Sequence, residues 1–259
     1  MVLSHFVRGF WWVGVGLLGL AAGEVPQEER EAIKELAGES LILLQAKDSG
    51  KYVTAVENYL NNLTTISGSF VQKNTTAEGG TSTLKGSLFW WKSPKARREA
   101  QLQMDLPDIQ RRYIVKEGMM YILDLSKRKT APYNLAGTPL AFLFKRSIRL
   151  KEQFPLAEVA LDPNRNMLVL MLRRKKGGGV PFTLFFSLYK NGNLRSFEGW
   201  LMKDSKGTLV SIQAVPGTLR FGEALSIQKK HLFDPGYYEP LQPERGEGDG
   251  QKTPKEKVH

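Results

Sequence analysis

No cysteine occurs in the 259 residues of the chain. That excludes disulfides, thiolate metal sites and cysteine nucleophiles at once. It also excludes the acyl-modified cysteine that begins a bacterial lipoprotein, so the chain is expected to be soluble rather than lipid-anchored, with its stability supplied by burial alone. Histidine is nearly as scarce: apart from His5 there are only His231 and His259. A Ser-His-Asp site would have to rest on His231, and zinc would find no cluster of ligands. Long apolar runs are missing too. The N-terminal one, 9–22, is shorter than the roughly 20 residues a membrane-spanning helix needs.

That short run has a different meaning in context. Arg8 precedes it and Ala21, Ala22 and Gly23 follow it, directly before Glu24, which is the order of a secretory signal peptide and its cleavage site. Residues 1–23 are therefore expected to be removed near Gly23/Glu24, leaving an exported protein of the periplasm.

Net charge is +11, and +10 once Arg8 leaves with the signal segment. Such an excess suits anionic partners. No helix-turn-helix, zinc-finger or RNA-binding signature accompanies it, so nucleic acid is not expected; anionic lipid head groups or an acidic protein fit an exported chain better. Most of these cations read as solvated strand faces and turns. With 41% hydrophobic residues the chain can bury a substantial core.

In 24–50, Ile33, Leu36, Ala37, Leu41 and Leu44 recur at helical spacing within an acidic stretch, which reads as an amphipathic helix or a partly ordered extension. A second helix is expected from Lys51, with Val53, Val56, Leu60 and Leu63 on one face, ending near Asn61 and Asn62. From Ile66 the period becomes two. Leu84, Gly86, Leu88 and Trp90 share one face while Thr83, Lys85 and Ser87 share the other; Ala96, Ala100, Leu102 and Met104 repeat the pattern after the turn at Ser93-Pro94. Further strands are expected at 113–116, 119–123, 128–133, 167–173, 182–189, 194–202 and 209–215, with Gly177, Gly178 and Gly179 supplying a hairpin turn. Serial strands of this kind make an antiparallel sheet. One segment interrupts them: in 137–145 Thr138 can cap a helix, Pro139 occupies its first turn, and Leu140, Ala141, Phe142, Leu143 and Phe144 follow. A helix apolar on every side must be covered on every side, and its natural place is across the mouth or inside a curved sheet. The tail 240–259 is rich in proline, glycine and charge and is expected to be disordered.

Catalytic patterns fail on inspection. Gly50-Lys51 matches a phosphate-binding loop only there, since Gln45 stands where the first glycine belongs and Tyr52 where serine or threonine would hold magnesium. Asp105 and Asp108 around Pro107 could pair as acid and base, but two acids flanking a proline read as a turn device. The positive signal is aromatic: Phe70, Trp90, Phe142, Phe144, Phe182, Phe186 and Trp200 either fill a core or line a pocket for an apolar ligand.

The stretch 51–145 resembles the LolA-type carriers of outer-membrane lipoproteins. The segments that carry the resemblance are the helix and ISGSFVQ (66–72), GSLFWWKSPKARRE (86–99), YIVKEGMMYILDLSKRKT (113–130) and GTPLAFLF (137–144), in that family's order. Beyond Lys145 only strand character remains. The resemblance implies an incomplete antiparallel β-barrel, a half-barrel with an N-terminal helix and a short helical lid, whose interior takes up acyl chains. It further implies acylated lipoproteins as cargo, an inner-membrane ABC-type transporter as donor, and an outer-membrane acceptor or that membrane as destination, without enzymatic activity. In this family an arginine directly before the proline helps hold the lid; here Ser93 stands there, with Lys92, Arg97 and Arg98 the nearest cations.

The expected organisation is thus a signal peptide (1–23), a helical or partly ordered extension (24–50), a half-barrel domain (51–239) and a disordered tail (240–259). A monomer without cofactor or metal is expected. The acyl cavity is assigned to Phe70, Leu84, Leu88, Trp90, Ala100, Leu102, Met104, Phe142, Phe144, Phe182, Phe186 and Trp200, and the lid to Thr138, Pro139, Leu140, Phe142 and Leu143. The competing reading is an envelope scaffold that uses the same half-barrel to bind protein and never takes up lipid.

Overall fold

The computed structural model describes residues 27–92, 100–136, 138–173, 182–204, 206–222 and 239–240. The signal segment, Ser93 with Arg97 and Arg98, the three-glycine hairpin, His231 and the tail beyond Pro240 lie outside the described residues.

Helix α1 spans Gln27–Ala37. The helical spacing read through Leu41 and Leu44 stops short of both, because Gly38 turns the chain with φ +116°, and its N–H closes the helix on the Lys34 carbonyl at 2.8 Å. Past this turn the chain is extended and includes the two-residue edge strand β1, Ile42–Leu43. Helix α2 spans Ala46–Asn62, so it begins ahead of Lys51, and its buried Val53, Val56 and Leu60 are the face its spacing foretold.

Two antiparallel meanders then form one sheet. The first runs β2 (Thr65–Thr75), β3 (Thr81–Trp91), β4 (Gln101–Leu106), β5 (Arg111–Lys116), β6 (Met119–Asp124) and β7 (Lys129–Asn134). The second runs β8 (Glu158–Asp162), β9 (Met167–Leu172), β10 (Phe182–Leu188), β11 (Leu194–Lys203) and β12 (Leu209–Ala214). Pairing of β12 with β2 fuses them, giving the order β1-β8-β9-β10-β11-β12-β2-β3-β4-β5-β6-β7, with β13 (Arg220–Phe221) also on β2 and β14 (Glu239–Pro240) parallel to β7. The ends of this order do not pair with each other, so the sheet is open: the antiparallel sheet expected from the strand pattern, in the incomplete-barrel form that the resemblance implied. β8 was not legible beforehand, being five residues with an acid at each end.

The connection from β7 to β8 matters most. These strands lie near opposite edges of the sheet, so the chain between them must cross it. It does so with a 3-10 turn, Pro139–Phe144, and the short helix α3, Leu150–Gln153. The expected lid helix is therefore 3-10 rather than α. Its N–H groups reach back three residues, Ala141 to Thr138 and Lys145 to Phe142.

Strand alternation divides the core. Leu88, Trp90, Leu102, Met104, Leu168, Leu170, Phe182, Leu184 and Phe186 face inward with the apolar side of α2. Their neighbours Val169, Met171, Phe185, Leu201 and Leu209 face outward, where α1 covers them with Ile33 and Ala37. β9 and β10 are thus buried on both faces, which is why they read as nearly continuous apolar runs. Among the described residues no helix is long and apolar enough to cross a membrane.

Candidate functional site: an apolar cavity under the 3-10 turn

The inner face holds a cavity of about 40 Å³ whose lining side chains are all apolar. α2 contributes Leu60 and Leu63; β2, β3 and β4 contribute Ile66, Leu88, Trp90 and Leu102; β11 contributes Phe197 and Trp200. The crossing connection closes it with Leu140, Leu143, Phe144 and Ile148. At about 4.8 Å per strand, β11 to β4 would spread over about 19 Å of a flat sheet. Convergence of those strands on so small a space means that the sheet curls around it.

An apolar cavity of about 150 Å³ is needed to hold even a benzene-sized ligand. The cavity is therefore too small for such a ligand, because the protein's own leucines fill most of it. A larger guest requires something to move, and the way the crossing connection is held identifies what. Ahead of the 3-10 turn, the Thr138 N–H and hydroxyl both donate to the Leu135 carbonyl, at 2.9 and 2.8 Å. Behind it, the Asn61 side chain donates to the Ile148 carbonyl and accepts its N–H, both at 2.8 Å, and Glu57 accepts the Leu150 N–H at 2.7 Å. Between these anchors the bonds at the two ends of the turn, from the Ala141 N–H to the Thr138 carbonyl and from the Lys145 N–H to the Phe142 carbonyl, are long at 3.3 Å, and the Ala100 N–H donates to the Phe144 carbonyl at 3.0 Å. Leu140 and Leu143 are half-buried.

Of the sequence-assigned cavity residues, Leu88, Trp90, Leu102, Phe144 and Trp200 line the space, as do the lid residues Leu140 and Leu143. Phe70, Ala100, Met104, Phe182 and Phe186 belong to the same inner core without bordering the cavity, and Leu84 packs against it half-buried. Phe70 lies over Gly86, where a Cβ would meet its ring at 2.6 Å, so that glycine makes room for the aromatic. Phe142 is a fixed anchor: its ring packs edge-to-face on Phe154 and Phe182, with centroids 5.0 and 5.5 Å away. Leu60, Leu63, Ile66, Ile148 and Phe197 line the space without having been assigned to it. For Leu60 and Leu63 the signal was the apolar face of α2; for Phe197 and Ile148 there was none.

Polar chemistry surrounds this space sparsely. Tyr59 accepts the Phe197 N–H at 3.2 Å and packs its ring on Phe186. Burial pushes its hydroxyl up to about 12, against the opposing effect of that N–H. Lys92, directly after β3, is buried with no hydrogen-bond partner for its ammonium among the described residues, and burial holds its pKa below the ordinary lysine value. The indole N–H of Trp200 likewise has no acceptor among the described residues. The two aspartates around Pro107 are separately engaged, Asp105 by the Arg112 guanidinium and Asp108 by the Lys85 N–H at 3.2 Å. Pro107–Ile109 is a 3-10 turn, the role read for that proline.

No family model and no curated protein matches the chain. Solved structures to which it is similar include an uncharacterized conserved protein from Thermus thermophilus, with 14% identity and a TM-score of 0.40 over 74% of this chain and 98% of that one. A second is a putative outer membrane lipoprotein-sorting protein domain from Vibrio parahaemolyticus, with 9% identity and a TM-score of 0.38 over 70% and 95%. A third is a LolA superfamily protein from Nitrosomonas europaea, with 8% identity and a TM-score of 0.35 over 67% and 94%.

Proposed function

We propose that this chain is a periplasmic carrier that holds the acyl chains of lipoproteins against its inner sheet face. It receives them from an inner-membrane ABC-type transporter and gives them up at the outer membrane, as a monomer. One observation supports the reading: a cavity lined by apolar residues is filled by leucines from a turn that is anchored at both ends and whose two end bonds are long, at 3.3 Å. Displacing that turn converts a closed core into an open trough. Burial of a long acyl chain at about 0.8 kcal/mol per methylene amounts to roughly 12 kcal/mol. Freeing the buried Phe144 and the two half-buried leucines of the turn, with Phe142 kept on Phe154 and Phe182, costs roughly 3–6 kcal/mol on the same scale. A long chain can therefore open the site and a short one cannot.

The test is release of a radiolabelled lipoprotein from spheroplasts by wild type, Leu88→Glu and Ser87→Glu, with circular dichroism confirming that each is folded. Leu88 lines the cavity and Ser87 is exposed on the other face. A carboxylate at 88 faces acyl chains without a partner and weakens binding by several kcal/mol in order of magnitude, whereas one at 87 stays in water. Release by wild type and Ser87→Glu but not by Leu88→Glu is expected. A folded wild type that releases no lipoprotein and binds no acyl probe refutes the carrier reading and leaves the protein-binding scaffold.

A further inference from the structure

Lys92 is the unusual residue of the inner face. It continues the inward row of Leu88 and Trp90 by strand alternation. Its N–H bonds the Thr64 carbonyl at 2.8 Å, which carries the β2–β3 register one residue beyond the Thr65–Trp91 pair. On the other side the β3–β4 register carries Lys92 opposite Ala100, whose own N–H holds the lid at the Phe144 carbonyl. The residue two before it in this row, Trp90, lines the cavity, as does Phe144, whose carbonyl Ala100 holds. Lys92 therefore closes one end of the apolar row, at the edge of the space the lid covers.

There it is only 8% exposed, and no described residue accepts a hydrogen bond from its ammonium. An ammonium withdrawn from water without a partner destabilises the fold that holds it. A methionine or leucine would fill the same volume without that cost, so the charge is explained by something that arrives. Among the described residues no carboxylate lines the cavity to pair with Lys92. A cationic donor without an acceptor beside an apolar trough matches a guest with an apolar chain and an oxygen-rich, negatively charged head.

We propose that the cavity binds anionic lipids, with the carboxylate or phosphate of the head group paired to Lys92 and the acyl chain in the trough. The inference rests on the acyl-chain reading of the cavity but goes beyond it, because the acyl region of a triacylated lipoprotein carries no anionic group to place at this position. The lysine selects among guests that share the same chain.

Equilibrium binding of myristate, tetradecyl phosphate and tetradecanol to the full chain, as wild type, Lys92→Met and Lys92→Arg, tests this. Wild type should bind both anions about tenfold or more tighter than the alcohol, the size of one charge-assisted hydrogen bond. Lys92→Met should bind all three alike, and Lys92→Arg should keep the preference. Which anion wild type prefers tells a fatty acid from a phosphate-headed lipid as the source. Thermal unfolding of Lys92→Met should be no lower than that of wild type, because an orphaned charge has been removed. Equal binding of anions and alcohol by wild type, or a Lys92→Met protein that is less stable and weaker toward all three, overturns the proposal and makes the lysine structural. Failure of wild type to bind any of the three overturns the acyl-chain reading as well.

Discussion

Truncating the two plug leucines, Leu140→Ala with Leu143→Ala, should make the protein less stable and a better binder at the same time. Both side chains are half-buried and both occupy the cavity in the closed state. Full burial of a leucine stabilises by about 1.5–3 kcal/mol, so each truncation weakens the closed arrangement by about 1 kcal/mol, and the pair by about 2 kcal/mol. Apparent affinity for a guest that needs the open state is its intrinsic affinity multiplied by the open fraction. Shifting the closed–open balance by about 2 kcal/mol therefore tightens acyl binding up to about thirtyfold. The matched control is Leu63→Ala. Leu63 is also half-buried and lines the same cavity, but it stands at the end of α2 and remains a wall in both states. Its truncation should lower stability and affinity together. Titration with a fluorescent palmitoyl peptide, alongside thermal unfolding of each variant, separates the two cases. If the double variant loses affinity in step with stability, as Leu63→Ala does, then 139–144 is ordinary core and the lid argument fails.

Acyl probes of increasing length should gain about 0.8 kcal/mol, or about fourfold in Kd, with each added methylene until the trough is full, and short ones should not bind measurably; affinity independent of length in calorimetric titration contradicts a trough that holds the chain. Glu29 on α1 is 4% exposed with one carboxylate oxygen lacking a partner among the described residues, and burial raises its pKa against the pull of Arg173 and Lys203. A carboxyl raised on folding holds more protons folded than unfolded, so its contribution to stability falls as pH rises from the ordinary glutamate value through the raised one. Glu29→Gln should flatten the melting temperature across that window and raise it at neutral pH; a lower melting temperature at neutral pH would show a paired carboxylate instead.

Alternation along a strand is a local property, so the inward row of Leu88 and Trp90 and its continuation in Leu102 could be read directly from the residues. The all-apolar stretch beginning at Pro139 was legible for the same reason: nothing in it tolerates water. Tertiary structure decided what no period encodes. Phe142 became an anchor because Phe154 and Phe182 meet it, while Phe197, on an unremarkable strand, became a wall because the sheet curls. The lid's rear anchor joins Asn61 to Ile148 across 87 residues, and α1 lies on an outer face that β9 to β12 form only together. The burial of Lys92 follows the same logic. In the sequence it is one cation among 37 lysines and arginines, and only the folded chain removes it from solvent. Period sets which way a side chain points, but the contacts that decide whether it becomes core, wall or unpaired charge come from segments distant in the chain.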